Sequence, residues 1–358
     1  GDGTGKSVML CAHMDTYWPR EGEEEKAHSA EVVGDKIFGV GAGDSMGPMA
    51  AYFGVIDAIR RSGVTLGGDV MMVASVDEMI FTRGARVLID NGIKADMCII
   101  GEPTDFNIGI VHTGHVELEI RTRGYSPVEL GAYGKSMGMT VVNAVDSMVT
   151  IVNYLRRMYR EEPFFHNKHP LLPGEGATFF IGPIIGGTSG YGDPTRRPGP
   201  KKEELGVAKL TPLWCNLKVG ARTWPGQKSG EFLNIVRKWV GKARQDDPSI
   251  EAEINIYLNG DYGNVPYEIS PEQEVVKTLK RAVRYVLNRE PKFMGNQWTT
   301  ESPFYYKAGI PTAWCGPTFM RIGSADEHIT VGELITACKV YTSAVLDACC
   351  GENMYKLV

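Results

Sequence analysis

Leu10-Cys11-Ala12-His13-Met14-Asp15-Thr16 places an imidazole and a carboxylate at the end of an apolar run that begins at Val8. A short apolar run after the glycine-rich opening reads as a buried strand. In open α/β sheets, ligands collect beyond the carboxyl ends of strands. A metal-binding histidine commonly gives its second N–H to a nearby carboxylate, which fixes its tautomer. By itself, His-x-Asp reads equally well as a surface polar pair, so its meaning depends on what the neighbouring strand ends carry.

Working outward, residues 49–61 show apolar residues at helical spacing and stop near Gly63, residues 70–76 form a second apolar strand, residues 85–91 a helical turn, and residues 97–100 a third strand. This alternation predicts an α/β fold with a mainly parallel sheet flanked by helices. Its strand ends are polar. Gly39-Val40-Gly41-Ala42-Gly43-Asp44-Ser45-Met46-Gly47 delivers one carboxylate just before a helix. Ser75-Val76-Asp77-Glu78 ends the second strand in acids, and Ile99-Ile100-Gly101-Glu102-Pro103-Thr104 ends the third in a glutamate. His13, Asp44, Glu78 and Glu102 therefore share one sheet edge, more than solvation explains. Such a nitrogen and oxygen set suits zinc, manganese or cobalt.

The texture changes after Gly114. Residues 116–123 alternate apolar and charged side chains like a strand with one solvated face. An amphipathic helix over 141–159 follows, then strands over 177–183 and 213–221 separated by a Gly-, Pro- and charge-rich loop over 186–202. A helix over 231–244 and a strand over 251–258 close an inserted α+β block. The α/β texture returns with a helix over 272–287, a strand over 311–315 and a helix over 331–348. The expected domains are a discontinuous catalytic domain, 1–115 with 259–358, and an insertion, 116–258.

Bulk properties bound the function. A chain of 358 residues, 43 % hydrophobic and 23 % charged, has room for two domains and a sizeable core. Its formal charge of −5 leaves no basic footprint for nucleic acid, and no apolar stretch approaches the ~18 residues of a membrane span. The opening residues do not read as a signal peptide. Gly5-Lys6-Ser7 resembles the end of a phosphate-binding loop, but the earlier glycine and leading strand are missing. The seven cysteines form no C-x-x-C pair and read as buried thiols of a reducing, cytoplasmic compartment.

These four segments, in this order and spacing, resemble the metallohydrolase family that includes acetylornithine deacetylase, succinyl-diaminopimelate desuccinylase and glutamate carboxypeptidase. The resemblance covers nearly the whole chain. Ala221-Arg222-Thr223-Trp224-Pro225-Gly226 and Ala308-Gly309-Ile310-Pro311-Thr312 are similar to later signatures of that family. It implies that the insertion is a lid or dimerisation domain and that the protein is a homodimer or larger homo-oligomer; members of the family usually carry more chain before the first strand. It implies His13 and Glu102 as ligands of one metal, Asp44 as the carboxylate that bridges two metals in the usual member, Asp15 as the residue orienting His13, and Glu78 as the general base.

The sequence also departs from the family. Where a second glutamate binds a second metal, Met79 follows Glu78, and a thioether is a poor ligand for a hard divalent ion. The other ligand of that metal is a histidine ahead of acids near the C-terminus. In Gly323-Ser324-Ala325-Asp326-Glu327-His328 that position is Gly323 in one register, while His328 takes the role in another. Where the family's lid offers a histidine to the scissile carbonyl, this chain has Val128. Both metal losses fall on one site, so one manganese or zinc ion per chain is expected.

A single-metal centre without the lid histidine suits attack on an electron-poor carbon. One branch resembling the family hydrolyses 5-nitroanthranilate to 5-nitrosalicylate and ammonia, and that reaction is the specific expectation. The alternatives are a peptidase or N-acyl-amino-acid deacylase, and a non-catalytic binding protein on the same scaffold. The expected substrate is a small carboxylate-bearing molecule, with Arg222 as its binding residue or as a lid salt-bridge partner. Trp298, Phe304, Tyr305 and Tyr306 are either an aromatic pocket or core.

Overall fold

The Val8–His13 strand is buried along its whole length. It pairs in parallel with Val70–Ser75 on one side and Met97–Ile100 on the other. Residues apolar on both faces suit this interior position, since helices cover a parallel sheet from both sides. The register sets His13 opposite Ser75, so the polar ends of these strands meet at one edge. Thr312–Trp314 extends the sheet in parallel beyond Met97–Ile100. Ile108–His112 then joins antiparallel, carrying the parallel Phe293–Asn296 and the antiparallel Tyr267–Glu268.

This computed structural model describes residues 1–128, 130–174, 176–188, 210–258, 265–317 and 322–351. Most of the loop expected over 186–202 lies outside the described residues. The chain divides into two units. One comprises Gly1–Thr113, Pro170–Pro173 and Tyr262–Val358, and the other Gly114–His169 with Gly174–Asp261.

In the first unit, the Gly47–Ser62 and Glu274–Leu287 helices both pack against the closing Val331–Cys350 helix. Arg281 Nη2 fastens Glu274–Leu287 to the buried Asp347 carboxylate at 2.6 Å. The closing helix starts at a capping box, in which Thr330 and Glu333 satisfy each other's main-chain N–H groups. A small sheet of Val32–Val33, Lys36–Phe38 and His328–Thr330 lies in the same unit.

The second unit is an antiparallel sheet ordered Glu251–Leu258, Gly114–Arg123, Trp214–Thr223, Phe179–Gly187. The Ala144–Glu161 and Ser229–Asp246 helices pack against each other there. Gly114–Arg123 alternates buried and half-exposed residues nearly to its end, as its sequence pattern requires. The first helix begins three residues later than the periodicity predicts, because the Asn143 side chain accepts from the N–H groups of Val145 and Asp146 and caps it.

The architecture is thus an α/β fold with a mixed, mostly parallel sheet and an additional antiparallel sheet. Strands Ile108–His112 and Phe293–Asn296 are absent from the sequence reading. Each is short, and their glycines weaken the strand signal.

Candidate metal centre

His13 is the last residue of the Val8–His13 strand and is almost completely buried. Its Nδ1 lies 2.7 Å from the main-chain carbonyl of Asp15, which makes Nδ1 the protonated donor. Nε2 points to Asp44 Oδ1 at 3.1 Å and lies 3.9 Å from Glu102 Oε1. The ligand atoms of His13, Asp44 and Glu102 all lie within 4.8 Å of one another. Among the described residues, no other group of three His, Cys, Asp or Glu side chains could hold an ion.

Local sequence explains each placement. Asp44 sits in a turn over Ala42–Met46, with non-helical backbone at Asp44 and Ser45 and a cis peptide between them. Ser45 Oγ accepts the His13 N–H at 3.1 Å, tying this turn to the Val8–His13 strand. Glu102 follows Gly101, where a Cβ would stand 2.3 Å from Pro48 Cβ and 2.7 Å from the Tyr52 hydroxyl. Only glycine lets the third strand end so close to the Gly47–Ser62 helix. Tyr52 bonds the carbonyls of Cys11 and Ile99 at 3.1 and 3.3 Å, joining the two strands below the site.

Glu78 is buried in the turn after Val70–Ser75. The Asp15 carboxylate accepts the N–H groups of Glu78 and Met79 at 3.2 and 3.0 Å. Asp15 therefore meets His13 through its carbonyl and holds the Glu78 turn through its side chain; its carboxylate is 3.9 Å from His13 Nδ1. Asp77, with φ of 63°, belongs to the turn itself, binding Arg83 Nε at 2.6 Å.

Crowded carboxylates away from water hold protons tightly. Burial pushes Glu78 up to about 8; the His13 charge opposes this, while Glu301, Asp44 and Asp15 add to it. Burial likewise raises Glu102 well above the carboxylate range, with Asp44 next in effect. At His13 burial works the other way, but the hydrogen bond to Asp44 and the charges of Glu78 and Glu102 raise it well above the usual histidine value.

Glu102 Oε1 is buried with no hydrogen-bond partner. An orphaned carboxyl oxygen beside an imidazole nitrogen and a second carboxylate is what a divalent cation, displacing the proton, satisfies. The residues present therefore fit such an ion.

Glu301 escaped the sequence reading. It is fully buried, and its Oε1 accepts from Ser75 Oγ. The signal available was an acid at a helix start, Thr300-Glu301-Ser302-Pro303, just beyond a strand end. Glu327, also fully buried, accepts from the main chain around Asp44.

His328 does not join the cluster. It lies in the strand opposite Phe38, its ring 5.0 Å from that phenyl ring, with Nδ1 2.9 Å from the Asp326 carbonyl. Gly323 has φ of 75°, and a Cβ there would stand 3.0 Å from the Tyr17 ring. Met79 is half-buried beside Glu78. Arg222 lies in the second unit, opposite His115 in the ladder, and its charge helps keep the Glu117 carboxyl low after the His115 hydrogen bond. Tyr305 is core, bonded to Cys11 Sγ at 3.4 Å, while Tyr306 is exposed.

Residues 9–347 match the family described as Peptidase family M20/M25/M40. An acetylornithine deacetylase of Vibrio cholerae is 30 % identical over 331 residues, covering 91 % of this chain and 75 % of that protein. Among solved structures, an M20 family metallo-carboxypeptidase from Sulfolobus solfataricus superposes with a TM-score of 0.69 at 18 % identity, covering 99 % of this chain and 86 % of that one. A dinuclear metal-binding M20 peptidase from Bacillus subtilis gives a TM-score of 0.63 at 13 % identity, with coverage of 97 % and 83 %.

Proposed function

The chain belongs to Peptidase family M20/M25/M40, metal-dependent hydrolases that act on C–N bonds, and from that premise we propose a single-metal hydrolase with His13, Asp44 and Glu102 as ligands and Glu78 as general base. The observation that carries this reading is the His13, Asp44 and Glu102 cluster with its orphaned Glu102 oxygen. A bound divalent ion supplies the Lewis acidity that makes water easier to deprotonate near neutral pH.

The protein's own groups do the rest. His13 is held in the tautomer that leaves Nε2 facing the carboxylates. Glu78 takes a proton from the attacking water and returns it to the departing nitrogen. A buried carboxylate in the turn beside the ligand cluster is placed for both halves of that exchange.

Three features support one ion per chain. Met79 offers only a thioether beside Glu78. Gly323 offers no side chain, and the Tyr17 ring fills the space where one would begin. His328 packs its ring at a tilt against Phe38 and is not part of the cluster. The nitrogen and oxygen donor set suits manganese or zinc.

The substrate we assign is 5-nitroanthranilate. Water adds to the ring carbon bearing the amine, the nitro-substituted ring takes up the negative charge, and Glu78 returns the proton as ammonia leaves, giving 5-nitrosalicylate. Val128 offers no donor to an acyl oxyanion, whereas a nitro-aromatic ring needs none. On the same reading Arg222 binds the substrate carboxylate as a guanidinium fork, and the second unit serves as lid and dimerisation domain of a homo-oligomer.

A second reading, N-acyl-amino-acid deacylase or peptidase, is favoured by the acetylornithine deacetylases among the relatives. Elemental analysis after loading with manganese or zinc, run beside ammonia release from 5-nitroanthranilate and hydrolysis of N-acetylornithine, separates them. One ion per chain with ammonia release is expected. Two ions per chain would overturn the single-metal centre; N-acetylornithine hydrolysis without ammonia release would select the deacylase.

A further inference from the structure

Glu327 is a fully buried carboxylate whose side-chain hydrogen bonds go to main-chain groups rather than to the candidate ligand side chains. Its Oε1 accepts the main-chain N–H groups of Gly43 and Asp44 at 2.8 and 3.2 Å. Its Oε2 accepts the N–H of Gly323 at 2.9 Å. Its carbonyl accepts the N–H of Gly39 at 3.0 Å, and its own N–H donates to the Ser324 carbonyl at 2.9 Å. Directly after it, His328–Thr330 pairs with Lys36–Phe38. The segment leading to Asp44 is thus fastened to one short turn by a strand ladder, a carbonyl and a carboxylate.

The need for a carboxylate follows from the backbone. Asp44 has φ −129° and ψ 87°, outside helical geometry, so no regular ladder supplies acceptors to the N–H groups of Gly43 and Asp44. Buried N–H groups require a partner. One carboxylate offers enough lone pairs for three donors on two sides, and those donors offset the cost of burying its charge. Glutamine would present an NH2 group to one of the donors and lose that side of the clamp.

We propose that Glu327 is a positioning residue of the metal centre: by clamping the main chain at Asp44 it holds that carboxylate 3.1 Å from His13 Nε2, ready for the ion. This rests on reading Asp44 as a ligand. A plain loop staple would contribute stability without altering ion affinity.

Chelator-competition titration of Mn2+ on the full chain tests it. Supporting partners of metal ligands typically contribute about 10–100-fold in affinity, and Glu327→Gln is expected to weaken Mn2+ binding by that amount. Glu327→Asp, which keeps the charge on a shorter stem, is expected to shift affinity in the same direction by less. Lys26→Met removes the exposed Lys26–Asp326 ion pair on the same turn and is expected to leave affinity unchanged. Asp44→Ala is expected to abolish binding. If Asp44→Ala loses the ion while Glu327→Gln binds as tightly as the parent, the positioning role is wrong and the metal centre stands; should Glu327→Gln fail to fold, Glu327→Asp decides in the same way. An Asp44→Ala protein that retains its ion overturns the metal centre itself.

Discussion

At the scale of single residues, Asp15 acts through two different groups, and substitution can separate them. Its carbonyl fixes His13, while its carboxylate holds the N–H groups of Glu78 and Met79. Asp15→Asn keeps the carbonyl, so ion content should stay at the parent level while kcat falls by about 10²-fold as the Glu78 turn loosens. Loss of the ion from Asp15→Asn, measured by elemental analysis, would contradict that division of labour. Glu78→Gln removes the base itself and should lower kcat by about 10²–10⁴-fold with the ion retained. The sequence makes His13, Asp44, Glu78 and Glu102 legible because polar residues at the ends of apolar strands stand out. It does not reveal which atom of Asp15 meets which neighbour, since that depends on the backbone path after the strand. Glu301 is hidden for a related reason: it reaches the site from a distant segment, and nothing in the local pattern marks a buried acid; Glu327 is legible only as one of the acids of the C-terminal motif, without its place beside Asp44.

At the scale of elements, close approach between backbone segments decides what the site can become. Gly101 lets the Met97–Ile100 strand end against Pro48 and Tyr52. Gly101→Ala should cost about 1–3 kcal/mol through overpacking, seen as a lower thermal midpoint; an unchanged midpoint would mean that the helix yields freely. Gly323 imposes a different limit. Its φ of 75° disfavours any side chain, by roughly 1–2 kcal/mol, and the Tyr17 ring occupies the adjoining space. Gly323→His should therefore destabilise the chain without adding a second ion. Strand and helix order were readable from periodicity, as the agreement at Val8–His13 and Met97–Ile100 shows. The Ile108–His112 strand was not, because it runs straight into the Gly114–Arg123 strand with only Thr113 between them.

At the scale of the whole molecule, protons and the ion compete for one buried cluster, which makes stability depend on pH differently with and without metal. In the metal-free protein Glu78 holds its proton up to about 8, whereas an unfolded glutamate releases it near ~4.3. The folded state thus binds more protons than the unfolded state between those values. The stability this contributes is complete below the unfolded value and is lost as pH rises through about 8. Glu102 and His13 are both shifted upward too, so their contributions carry the same sign. The thermal midpoint of chelator-treated protein should therefore fall as pH is raised from about 5 to 9, as far as this cluster governs it. Ion binding requires His13 neutral at Nε2 and Glu102 ionised, so it releases those protons and tightens with rising pH. The gain in midpoint on adding saturating Mn2+ should consequently widen across the same interval, as calorimetry at matched ionic strength would record. A gain that stays constant with pH would mean that the ion does not displace protons from His13 and Glu102, and the ligand assignment would fall with it.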